Sequence, residues 1–198
     1  MVTITVGKEN PKKYSAHKNM ICDVSPYFEA VFNDTSGPSV KNKINDIIID
    51  FAIPEVMELF INWVYYKKVM DNNKQTPSSN NLAQLWVFGA KVQAPPLQNQ
   101  VIRALFNKCF CTNPSDFRWL YENTVPNDPL RRLFIDLVVS RKMTIATLKG
   151  ILEVHWNQIP PEMAKDVILG LKRLTGPPHR AEMPPLKFEN YLVPEPDL

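Results

Sequence analysis

The chain has 198 residues, enough for one substantial core or for a domain of about 100 residues with an appendage. Its 23 basic and 20 acidic side chains leave a net charge of only +3, which argues against an extended nucleic-acid footprint. Three cysteines make no disulfide framework, the start "MVTITVGKEN" has no signal-peptide character, and no apolar run approaches the ~18 residues that cross a bilayer. The expectation is a protein of a reducing compartment, cytoplasmic or nuclear, with no membrane role.

In chain order, "VTITVG" alternates with period two and reads as a half-buried strand closed by Gly7. "NPKK" is a turn, and "KYSA" completes a hairpin that runs into His17. Ser25 followed by Pro26 is a helix start, a hydroxyl to cap free N–H groups and then a proline at the first helical position. Tyr27, Phe28, Val31 and Phe32 form one apolar stripe on that helix. A polar loop, "NDTSGPSVKNKIND", leads to the β-prone run "IIIDF". "IPEVMELFINWVYYKKV" is apolar nearly all round and belongs in the middle of a core. "LAQLWVFGAKVQA" is a helix that Pro95 and Pro96 end, and "PPLQNQVIRALFNKCF" starts another.

Beyond about residue 111 no strand is expected. "DPLRRLFIDLVVSRK", "TIATLKGILEVHW" and "PPEMAKDVILGLKRL" read as short amphipathic helices. From Gly176 six prolines fall in 23 residues, so no regular element is expected there. The tail's Leu186, Phe188, Tyr191, Leu192 and Val193 either pack back onto the helical body or serve as a linear motif for a partner. The organisation is thus a domain over 1–110, a helical extension over 111–175 and a proline-rich tail over 176–198.

The residues that could carry chemistry are few. His17, Cys22 and Asp23 lie close in sequence, but on one helix five positions at 100° each set His17 and Cys22 about 140° apart. No glycine-rich oxyanion element accompanies them, so His17 is expected to be a buried imidazole bonded to backbone and Cys22 a small core hydrophobe. Cys109 and Cys111 match no zinc clip, and His155 and His179 have no paired spacing, so neither a metal nor a catalytic residue is assigned. No phosphate-binding glycine loop occurs, and no cofactor is implied. The pairs Lys67–Lys68 and Arg131–Arg132 read as solvated faces rather than a nucleic-acid site.

The stretches "SAHKNMICDVSPYFEAVF" (15–32), "IIIDFAIPEVMELFINWVYYKKV" (47–69) and "LAQLWVFGAKVQAPPLQNQVIRAL" (82–105), in this order, resemble a BTB/POZ domain of the form common in fungal proteins. "DPLRRLFIDLVV" resembles the helical segment that often follows there. The resemblance implies an α+β fold, a small mixed sheet flanked by an α-helical cluster, followed by an all-α extension. It implies a non-enzymatic module for protein–protein assembly. By position, His17 matches the family's histidine at the strand end, Ser25 the residue opening the next helix and Tyr65 the tyrosine closing the central helix, all three structural.

The implied partners are proteins: a second copy, another BTB protein, or a cullin scaffold for which the chain would be a ubiquitin-ligase substrate adaptor. The alternative is a scaffold or transcription-linked regulator acting indirectly, with no ubiquitin role. Phe32, Tyr66, Leu97 and Phe106 are the large apolar candidates for contacts. The family's obligate dimers have a helix and strand ahead of the first core strand. Here that strand starts at residue 2, so a swapped dimer surface is not expected unless the chain is part of a longer one. Cullin adaptors often carry an apolar residue, any residue, then Glu in the loop before the third strand, and "NDTSGPSVKNKIND" has no Glu.

Overall fold

The computed structural model describes residues 1–8, 10–33, 45–108, 115–140, 159–175 and 185–195. The helix expected from "TIATLKGILEVHW", together with Cys109, Cys111, His155 and His179, lies outside them.

The described chain forms two compact units, one of residues 1–101 with 194–198 and one of residues 102–193. In the first, β1 (Val2–Val6) is the middle strand of a three-stranded sheet of order β2-β1-β3. It pairs antiparallel with β2 (Lys12–Ala16), Ile4 opposite Tyr14, and parallel with β3 (Asp46–Ile49), Ile4 opposite Ile47. The period-two pattern acts as expected: Val2, Ile4 and Val6 are buried and the threonines between them are not. Gly7 makes the turn at φ +103°, where a side chain would be strained and would press on the Asn10 carbonyl. A parallel partner for β1 requires a crossover, and α1 (Lys18–Cys22) and α2 (Pro26–Asn33) lie within it.

Three longer helices follow, α3 (Pro54–Tyr66), α4 (Ser79–Lys91) and α5 (Pro95–Asn107). α3 buries Val56, Met57, Leu59, Phe60, Trp63 and Val64 and stops at Lys67, whose left-handed backbone lets its N–H close on the Trp63 carbonyl. Ser78 caps α4 by accepting from the Asn81 N–H at 3.1 Å, so this helix starts three residues ahead of the run beginning at Leu82. Phe28, Phe60 and Phe88 interlock at ring separations of 5.6 and 5.1 Å and form the centre of the core. Phe32 stacks on Phe28 at 6.0 Å.

The second unit is helical in its described residues: the end of α5, then α6 (Ser115–Glu122), α7 (Pro129–Val139) and α8 (Pro161–Thr175). Asp128 caps α7 by accepting from the Leu130 N–H at 2.8 Å, and every residue of the helix from Leu130 to Val139 except Arg132 is buried. α6 was not foreseen, because its eight residues mix Asp, Arg and Glu with three aromatics and show no long apolar period. The tail also departs from expectation. Phe188–Tyr191 make a single 3₁₀ turn, since prolines at 185 and 194 exclude a longer element but leave space for one turn between them.

Candidate functional site

His17 and Cys22 do not form a reactive pair. His17 follows β2, and both its N–H, at 3.1 Å, and its Nδ1, at 2.8 Å, meet the Tyr65 hydroxyl at the end of α3. That oxygen accepts the backbone proton and shares a second hydrogen bond with the ring nitrogen. The imidazole is therefore exposed and bonded to a side chain, not buried and bonded to backbone, because it follows the edge strand β2 and meets the end of α3. Cys22 is half-buried and its Sγ donates to the Phe28 carbonyl at 3.7 Å. Burial pushes its thiol above the ordinary value; Lys18 opposes that shift, and Glu29 and Asp23 add to it.

Ser25 is fully buried and has two partners. It accepts from the Phe28 N–H at 3.2 Å, capping α2, and donates to the Val92 carbonyl at 2.5 Å, where α4 ends. The cap was legible in the sequence; the bond to Val92, 67 residues away, was not.

Of the four apolar contact candidates, Phe32 is 2% exposed and Leu97 fully buried, so both belong to the core and offer a partner no surface. Tyr66 is 62% exposed, and Phe106 is half-buried. The reason is helical phase. Phe32 is one turn from buried Phe28, and Leu97 is one turn ahead of buried Val101. Besides Tyr66, the first unit exposes Met1, Ile48, Ile53 and Tyr65. Met1, His17, Met20 and Tyr65, with Lys18 and Asn19, line a shallow hollow of about 420 Å³. A methionine-and-aromatic lining of this kind repacks readily against a partner. A polar recess of about 190 Å³ lies among Glu55, Glu58, Asn62, Asp71 and Asn72. There Glu58 is paired with Lys12, whose hydrogen bond holds the carboxyl below its usual range against the opposing effect of burial.

In the second unit Arg131 is not on a solvated face. It is 7% exposed, its guanidinium donates to the Tyr121 and Thr124 carbonyls and to the Thr124 hydroxyl, and it lies 4.1 Å from the Tyr121 ring centre. Burial and the bond to Asp166 at 2.9 Å push the Tyr121 hydroxyl far above its usual range. Arg131 is thus a buried connector for the chain between α6 and α7. The tail docks on the same unit: Tyr191 is buried and donates to Asp136 at 2.8 Å.

Among the described residues no three metal-ligating side chains converge, and no helix is long and apolar enough to cross a membrane. A small mixed sheet with a crossover of helices, together with a second unit that is helical in its described residues, defines the class as an α+β protein. The particular family follows from sequence comparison: the BTB/POZ domain pattern matches residues 2–108, and the chain belongs to that family. It is similar to "Kelch repeat and BTB domain-containing protein 8" of Xenopus tropicalis, with 24% identity over 108 residues, 54% of this chain and 16% of that protein. The Mus musculus and Homo sapiens proteins of the same name match at 23% and 22% over 107 residues. The chain therefore spans about 16% of the length of the curated relatives it matches.

Proposed function

We propose that the chain is a non-enzymatic assembly module whose BTB/POZ domain joins it to a second copy or to another protein, and that one such partner is a cullin scaffold for which it acts as a substrate adaptor. The observation that carries the reading is the pairing of family membership with an open methionine-and-aromatic hollow at Met1, Met20 and Tyr65. The residues that most resembled a nucleophile and base are instead each tied to a different structural partner. A stable interface built on such a surface would remove ~1,200–2,000 Å² from water. The absence of Glu from "NDTSGPSVKNKIND" favours a second reading, a scaffold or regulator in the cytoplasm or nucleus with no ubiquitin role.

Light scattering of the chain over a concentration series, paired with a cullin pull-down, separates these readings. A defined dimer that retains no cullin supports the scaffold, and a monomer that retains cullin supports the adaptor. A strict monomer that retains no cullin and binds no BTB protein would remove the assembly reading altogether.

A further inference from the structure

Phe106, nominated from the sequence as a contact for another protein, already has a ligand in its own chain. Its ring lies 6.4 Å from Phe188, edge to face, and 6.4 Å from Tyr191. The Arg103 guanidinium lies 4.4 Å from the Phe188 ring centre, and Arg132 Nη2 donates to the Asn190 carbonyl at 3.2 Å. Tyr191, 2% exposed, sends its hydroxyl to the buried Asp136 carboxylate at 2.8 Å. Between the two anchors Glu189 and Asn190 face solvent. Two aromatic side chains three positions apart, one of them fully buried, a cation over one ring, a carboxylate for one hydroxyl and a guanidinium for one main-chain carbonyl are the contacts by which a peptide segment is recognised. Nine residues, including Pro177, Pro178 and Pro184, separate the end of α8 from Pro185 in the sequence.

We propose that this face of α7 and the C-terminal half of α5 is a recognition groove for a Phe-x-x-Tyr segment of a partner protein, bound as a single 3₁₀ turn, and that residues 186–193 are its internal occupant, released when the partner binds. Arg103 and Arg132 flank the site, so the partner segment carries acidic or neutral spacers, as Glu189 and Asn190 do here. Its tyrosine is unmodified, because a phosphate would replace a donated proton with charge facing Asp136. A tethered segment competes at an effective concentration of about 1 mM. With an intrinsic affinity of ~100 µM, the tail weakens capture of any competing segment roughly tenfold, which closes the groove to weak ligands and leaves it open to better ones. The inference concerns the second unit alone and stands or falls independently of BTB self-association.

The probe is a fluorescent peptide of residues 186–195, titrated into the full chain and into a full-length F188A/Y191A variant whose own tail has lost both anchors. The variant is expected to capture the peptide about tenfold more tightly than the unaltered chain. Adding Phe106→Ala should abolish capture, and a peptide phosphorylated at the tyrosine should not bind. Equal capture by both chains, capture of the phosphopeptide, or no capture by a variant with unchanged helicity and melting would overturn the proposal. Hydrogen exchange supplies the second measurement, on the unaltered chain, whether or not the variant folds: excess peptide should speed exchange at amides 186–193, and unchanged exchange would count against displacement. Exchange of tails between copies would give a dimer that Tyr191→Ala dissolves, and that result would also overturn the assignment to a different protein.

Discussion

Replacing Ser25 by alanine removes one oxygen that serves two helices. Its first bond is an ordinary N-cap to the Phe28 N–H, worth about 1 kcal/mol. Its second reaches the Val92 carbonyl at 2.5 Å, at a residue with no solvent exposure. Leaving a buried acceptor without its donor costs about 1–3 kcal/mol. Ser25→Ala should therefore destabilise by about 2–4 kcal/mol, lowering the urea midpoint by roughly 1–2 M at a slope of ~2 kcal/mol/M. Ser78→Ala is the matched control. Ser78 caps α4 through the Asn81 N–H at 3.1 Å but is solvent-exposed, so only the cap of about 1 kcal/mol is lost. Urea unfolding followed by circular dichroism and by fluorescence of the buried Trp63 and Trp86 gives both midpoints. Equal losses from the two variants would refute the reasoning, because the Ser25–Val92 bond would then contribute nothing.

Three further outcomes are expected. Gly170→Ala places a methyl 2.7 Å from Ile135 Cγ2, a branched carbon that cannot swing aside, so it should cost about 1–3 kcal/mol, read as a lower urea midpoint. Glu58 has a folded-state pKa below its unfolded one, so its contribution is present above about pH 4.3 and is lost as pH falls through the folded value. Glu58→Gln should flatten that acid limb of the stability profile, and an unchanged limb would exclude the Lys12–Glu58 pair as its source. Cys22, with its thiol pKa raised, should alkylate at pH 7 no faster than a free thiol when its peptide is followed by mass spectrometry. Rapid, selective labelling there would reopen a nucleophilic role.

What could be read in advance was whatever a short window encodes. The alternation of "VTITV", the Ser25–Pro26 helix start and the near-continuous apolar run of α3 each give an element and its buried face from local periodicity. What could not be read depends on distant residues arriving at one place. Phe32 and Leu97 have the chemistry of contact residues, and only helical phase relative to the whole core makes them interior. Arg131 next to Arg132 looks like a solvated pair until the chain between α6 and α7 supplies carbonyls for one guanidinium. Tyr65 was placed by family resemblance, but its hold on both the N–H and the ring of His17 belongs to the fold. Proline density ruled out long elements in the tail and gave no account of the two aromatics between prolines that anchor it.

α5 is one uninterrupted helix from Pro95 to Asn107, yet the division between the two units falls inside it, after Val101. The family match ends at residue 108, one position beyond the helix. A fragment trimmed to the matched span would keep Ile102 and Leu105, each with no solvent exposure in the full chain, and discard most of the unit to which they belong. The span that the family pattern matches and the compact unit thus have different ends. A fragment meant to behave in solution should run through α8 and the docked tail, and one stopped at 108 should be judged by whether it clumps before any binding result from it is interpreted.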